Sequence, residues 1–145
     1  QFILFLLFFL YYLIFEPDTI HPNSSILLLP ILLILMGGIS LGLGIIISAL
    51  TTKYRDLTYF VSFGVSLLMF AAPVVFPISA IPKKFEIIHL YNPIAPLIEA
   101  FRNGYTGKGD FSTAGLLYSA SFMIVALVVG TVLFSKTERN FMDTV

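Results

Sequence analysis

Ile26-Leu-Leu-Leu-Pro-Ile-Leu-Leu-Ile-Leu-Met-Gly-Gly-Ile-Ser-Leu-Gly-Leu-Gly-Ile-Ile-Ile-Ser-Ala-Leu50 carries no charged residue. At about 1.5 Å of rise per residue, a helix of about 25 residues reaches roughly 37 Å, enough to cross a hydrocarbon core of about 30 Å with some tilt. The rest of the chain agrees with that reading: it is 58% hydrophobic and 11% charged, whereas a soluble domain is about a quarter charged. The expected class is therefore an all-α polytopic transmembrane bundle, since helices satisfy their own backbone polar groups in lipid. A formal net charge of zero offers no electrostatic footprint for nucleic acid. The absence of cysteine excludes disulfides and thiolate metal sites.

Working outward, a short polar turn follows, Thr51-Thr-Lys-Tyr-Arg-Asp-Leu-Thr58. A third apolar run covers 59–81, with Pro73, Pro77 and Pro82 placed to kink and then end it. The last run covers 114–134 and leads into the polar tail Ser135 to Val145. Upstream, Glu16 to Ser25 is a polar stretch with two prolines, Pro17 and Pro22, and reads as an exposed loop. The run 2–15 before it is shorter than the roughly 20 residues a span needs. It has neither an initiator methionine nor a basic flank, so it does not read as a signal peptide. It is expected to be the end of a span that begins before Gln1, with a short interfacial helix as the alternative.

These spans put the loops 16–25 and 82–113 on one side and the turn 51–58 and the tail on the other. The first loop has two acids and no Lys or Arg, whereas the turn carries Lys53 and Arg55, which assigns the turn to the cytoplasm. The full tally is even: Lys53, Arg55, Lys136 and Arg139 face Lys83, Lys84, Arg102 and Lys108.

One segment fits neither loop nor span: Phe85-Glu-Ile-Ile-His-Leu-Tyr-Asn-Pro-Ile-Ala-Pro-Leu-Ile-Glu-Ala-Phe-Arg-Asn-Gly-Tyr105. Asn92-Pro93 and Pro96 split it into pieces of about ten residues, each too short to cross the hydrocarbon. A broken backbone at membrane depth must be covered by protein or line a watery cavity, which points to a translocation route. Glu99 and Arg102 stand three apart and share a helix face. Either they form a functional site inside the membrane, or they staple a short helix in the headgroup layer. Phe76, Phe85, Tyr91, Phe101, Tyr105, Phe111 and Tyr118 gather nearby, as an interfacial belt or as a surface for stacking sugar rings.

Catalytic constellations are scarce. His21 and His89 are the only histidines and neither has a second ligand at metal-binding spacing, so no metal site, cofactor or catalytic residue is expected. Gly37-Gly-Ile-Ser-Leu-Gly-Leu-Gly44 lacks the Gly-Lys-Ser/Thr of a phosphate loop, and Gly107-Lys108-Gly109 lacks the rest of that motif. Any nucleotide-driven step would then use another polypeptide. Gly38 and Gly42 form a small-xxx-small pair, Gly44 and Ser48 repeat the spacing, and Ala126 and Gly130 offer the same in the last span. Small residues one turn apart let helices approach closely in lipid, within one subunit or between two. The turn at Lys53, Tyr54, Arg55 and Asp56 is either a docking point for a soluble partner or a plain solvated turn.

Lys53-Tyr-Arg-Asp-Leu57, Pro73-Val-Val-Phe-Pro77, Tyr91-Asn-Pro-Ile-Ala-Pro-Leu-Ile-Glu-Ala-Phe-Arg102 and Glu138-Arg-Asn-Phe-Met-Asp143 together resemble, in order and spacing, one family. It is the ABC-2 type permease family that exports O-antigen, capsule or wall teichoic acid. The resemblance implies six transmembrane helices per subunit, of which residues 1–145 would be the C-terminal part of one permease domain. It implies that 85–105 forms two short re-entrant helices at the external mouth, with Tyr91, Asn92, Pro93, Pro96, Glu99 and Arg102 in the gate. It makes Lys53, Tyr54, Arg55 and Asp56 a cytoplasmic contact to an ATPase. A homodimer would work in the bacterial plasma membrane with two separate ATPase subunits on a lipid-linked glycan. The alternatives are an ABC-2 exporter of drugs or small lipids, or a secondary transporter with a broken helix at its binding site. A secondary transporter calls for acids inside its spans, and the long spans carry none. A membrane-embedded transferase calls for clustered acids and histidines, which are not seen either.

Overall fold

The computed structural model describes residues 1–15, 20–54, 56–71 and 91–142. Among them all regular structure is helical: α1 (Phe2–Phe15), a 3-10 turn (Ser24–Leu28), α2 (Leu29–Lys53), α3 (Leu57–Ala71), α4 (Ala95–Thr106) and α5 (Thr113–Met142). The second part of the third run, 72–81, and the first part of the broken segment, 85–90, lie outside the described residues.

The boundaries follow local chemistry. Asn23 takes an extended backbone (φ −117°, ψ 158°) ahead of the 3-10 turn. The chain therefore winds tightly at Ile26 and becomes α-helical only at Leu29, with Pro30 in the first turn, where a missing N–H costs nothing. At the other end Tyr54 turns extended (φ −128°, ψ 97°), and its N–H still reaches the Leu50 carbonyl at 2.9 Å. The Thr51 and Thr52 hydroxyls donate to the carbonyls of Ile47 and Ser48 at 2.9 and 2.8 Å, so the polar last turn of α2 folds back onto its own backbone.

Two helical stretches, Ser24–Thr52 and Thr113–Arg139, are long and apolar enough to cross a membrane. Only 22% and 17% of their most apolar windows is buried. The core helix of a soluble protein would be mostly buried, so the exposed Ile31, Leu33, Ile34 and Leu41 on α2 and Ile124, Val125, Val128 and Val132 on α5 call for an apolar surrounding, lipid or further protein.

Glycines set how closely α2 and α5 approach. A Cβ on Gly42 would lie 2.9 Å from the Ala126 Cβ and 3.0 Å from the Leu127 nitrogen. One on Gly130 would lie 3.0 Å from the Gly42 carbonyl oxygen, and one on Gly38 would run into the Met123 sulfur. Backbone meets backbone here, which is how helices gain dispersion contact where no hydrophobic effect drives them together. Gly37 and Gly44 face open space instead. Beyond this seam, Leu32, Leu35 and Ile39 of α2 close a buried cluster with Leu97 and Ala100 of α4.

Gly42→Ile is expected to lower the stability of the full-length protein in detergent by about 1–3 kcal/mol through overpacking. Gly37→Ile is expected to be neutral or better, because a better helix former replaces glycine in open space. Comparable loss of thermal stability in both variants would show that the seam does not depend on the Gly42 contact.

Candidate functional site: a short helix docked at one end of the bundle

α4 is 12 residues long, about 18 Å, which is too short to span. It runs antiparallel to the start of α2. Its N-terminal end lies against Ser119, about 9 Å along α5 from Thr113, through a hydrogen bond from the Ser119 hydroxyl to the Pro93 carbonyl. Its C-terminal end reaches the chain ahead of α2, where a Cβ on Gly104 would lie 3.3 Å from the Ile26 nitrogen and the Ser25 carbonyl carbon. The helix thus climbs from inside the bundle to its end.

A break at that depth must account for its polar backbone without water. Pro93 and Pro96 remove two donors outright. The Ile94 N–H donates to the Asn92 Oδ1 at 3.0 Å. The Ala95 N–H donates to the Asn92 carbonyl, and the N–H groups of Leu97 and Ile98 share the Ile94 carbonyl, all at 3.1 Å. On the acceptor side, the Ser119 hydroxyl donates to the Pro93 carbonyl at 2.6 Å and shares its hydrogen with Gly115 at 3.0 Å. The Tyr118 hydroxyl donates to the Tyr91 carbonyl at 2.9 Å. Two adjacent residues of α5 therefore cover the Pro93 carbonyl, which Pro96 leaves without a donor, and the Tyr91 carbonyl, whose neighbour Ile94 turns its N–H to the Asn92 side chain.

The other end is closed from within the helix and from the chain ahead of α2. Gly107 takes the left-handed conformation (φ 68°) that ends helices, and its N–H reaches the Asn103 carbonyl at 3.0 Å. The Thr106 hydroxyl returns to the Arg102 carbonyl at 2.7 Å. The Asn23 N–H donates to the Gly104 carbonyl at 2.9 Å, and the His21 N–H to the Thr106 carbonyl at 3.5 Å.

Glu99 is the buried acid of the helix, 3% exposed. Its Oε1 accepts from the Arg102 guanidinium, and its Oε2 accepts from the Asp110 N–H at 3.3 Å. The turn that supplies this N–H is drawn down onto α4: Asn103 donates its amide to the Gly109 carbonyl at 2.8 Å, and a Cβ on Gly109 would lie 2.7 Å from the Glu99 carbonyl oxygen. The pair therefore faces protein and fastens the 107–110 turn.

The remaining expected residues are scattered. Tyr91 is exposed and Tyr118 borders it, but Phe101 and Tyr105 turn away into a cluster with Phe5 and Phe9 of α1, with ring centroids 4.7–5.5 Å apart across α4 and α1. Phe76, Phe85 and His89 lie outside the described residues, as do Pro73, Pro77 and Arg55. Lys53 closes α2, while Tyr54 and Asp56 are exposed beside it. His21 contributes backbone to the α4 end. The sequence reading missed Ser119 and Asn23. A serine in an apolar span usually bonds its own helix, and only the position of Pro93 reveals its second partner.

A family model described as ABC-2 type transporter matches residues 1–106. The chain belongs to the ABC-2 type transporter family. It is similar to an O-antigen export system permease protein RfbA of Klebsiella pneumoniae, 33% identical over 103 residues, covering 70% of this chain and 39% of that protein. A Myxococcus xanthus protein of the same name is 23% identical over 126 residues, covering 86% of this chain and 48% of that protein. The polysialic acid transport protein KpsM of Escherichia coli is 26% identical over 110 residues, covering 73% of this chain and 41% of that protein. The chain thus spans about two fifths to one half of the length of these curated relatives. The family match takes in α1 to α4, so this is a membrane protein whose broken helix lies within the ABC-2 region.

Removing Glu99 takes away the ion pair that the half-buried Arg102 makes with it. Glu99→Ala is therefore expected to destabilise the full-length protein more than the Glu99→Ala, Arg102→Ala double variant, with a coupling of about 1–3 kcal/mol. A thermal double-mutant cycle with no coupling would mean the pair carries no structural energy. Ser119→Ala strands the Pro93 carbonyl and is expected to cost about 1 kcal/mol, with Ser119→Thr recovering most of it. Equal melting temperatures for all three proteins would refute this.

Proposed function

We propose that this chain is part of the permease of an ATP-driven exporter that moves a lipid-linked polysaccharide across a bacterial plasma membrane. The observation that carries the reading is its 33% identity over 103 residues to an O-antigen export permease. The matches to KpsM and the Myxococcus protein support the same substrate class. The permease acts as a homodimer with two ATPase subunits that bind and hydrolyse the nucleotide, and the permease itself catalyses nothing. In this reading the α4 end of the bundle is the outer mouth, and α4 is the second of two re-entrant helices there.

The geometry supports a passive route. α4 presents to the mouth a helix end at which the carbonyls of Arg102, Asn103, Gly104 and Thr106 accept from Thr106, Gly107, Asn23 and His21, which leaves few acceptors to hold a passing polymer. Phe111 (40% exposed) lies on that side and Tyr91 (71% exposed) at the deeper end of α4, with aromatic faces suited to sugar rings.

At the opposite end of α2, the exposed Tyr54 and Asp56 with Lys53 and Arg55 form the turn that meets the ATPase. Loss of the full-length protein from the source cell is expected to abolish surface glycan while lipid-linked glycan accumulates inside. Unchanged surface glycan would overturn the substrate assignment. Asp56→Lys is expected to lower co-purification of the ATPase by about tenfold, as like-charge or mispaired contacts do at interfaces. Undiminished co-purification and ATPase stimulation would remove the turn from the interface.

A further inference from the structure

We infer that α4 is a fixed strut of the outer mouth, which stays docked on α2 and α5 throughout the transport cycle. This rests on the export reading above and assigns α4 the stationary part of the gate. Three independent fastenings support it. At the deep end, the Pro93 carbonyl is held by Ser119, which is 0% exposed, and a Cβ on Gly115 would lie 2.9 Å from the Pro96 Cβ. Along its length, Ala95, Leu97, Glu99 and Ala100 are all buried. At the outer end, Asn23 and His21 bond the carbonyls of Gly104 and Thr106, while Phe5 and Phe9 enclose Tyr105.

Moving α4 away would break these fastenings together. It would strand the Pro93 carbonyl where no water replaces the buried Ser119 hydroxyl, at a cost of about 1–3 kcal/mol, and would release the carbonyls of Tyr91 and Gly104 from their donors. It would also part Gly104 from the backbone of Ser25 and Ile26, a contact that leaves no side chain between the two segments to slide on. Short helices that swing as lids have few such ties, since mobile elements come from the weakly held parts of a fold.

The sequence contains no cysteine, so paired cysteines can be read cleanly. Two pairs probe the two ends in the full-length permease with its ATPase, in a background lacking any other cysteine. Pro96→Cys with Gly115→Cys joins α4 to α5 where the two Cβ positions lie 2.9 Å apart, so an outward shift of under about 1 Å reaches the roughly 3.8 Å separation of a disulfide. Asn23→Cys with Asn103→Cys replaces side chains that already meet, their amide atoms 3.5 Å apart. Both pairs are expected to cross-link equally with and without bound nucleotide, and oxidised cells are expected to export glycan within about twofold of reduced ones. A cross-link yield that falls when nucleotide binds would overturn the strut. So would export that stops on oxidation and returns with reductant. If the unmodified permease exports no glycan at all, the export reading fails by itself, and the yields in the two nucleotide states still decide whether α4 moves.

Discussion

A backbone carbonyl withdrawn from water has to find a donor, and at Pro93 it finds the hydroxyl of Ser119. The prolines that break the helix remove N–H groups and leave carbonyls behind. In lipid a stranded carbonyl costs more than most side-chain contacts return. The position of α4 follows from this. The break can sit only where α5 offers hydroxyls on successive residues, and Tyr118 and Ser119 offer them. Once the break is seated, Leu97 and Ala100 meet Leu32, Leu35 and Ile39, and the 107–110 turn closes over Glu99.

Two scales of contact therefore share one small bundle. Between α2 and α5 the contact is dispersive, set by how near two glycine-bearing faces come. Around α4 it is polar and discrete, one donor to one acceptor. The first kind tolerates small shifts along the seam. The second does not, and it lies at the α4 end of the bundle. The chain thus places its least adjustable geometry around α4 and leaves broad apolar faces of α1, α2 and α5 for lipid or for other polypeptide surfaces.

Much of this was legible in the residues. A charge-free run such as Ile26 to Leu50 is enough for the all-α membrane class, and the ordered motifs around Tyr54 and Tyr91 are enough for the family. The start of α2 is less plain, because nothing in Ser24 to Leu28 separates a 3-10 turn from the α-helix that follows. The prolines mark where α4 begins, but its partners come from positions far apart in sequence. Asn23 reads as a loop asparagine until Gly104 is placed beside it. Phe5 reads as one more lipid-facing aromatic until Phe101 and Tyr105 turn toward it. Glu99 and Arg102 stand out as a pair, yet the N–H of Asp110 that completes their site is backbone, and backbone leaves no trace in composition.

The bond between Asn23 and Gly104 also changes what the stretch between α1 and α2 is. By composition it is a short, exposed, proline-bearing connector, the kind of place chosen to insert an epitope or a reporter. In the fold, residues 21–26 act as a missing edge for α4, supplying donors to its last carbonyls and a wall for its glycine. An insertion there would lengthen a loop on paper and remove one wall of the α4 dock in fact.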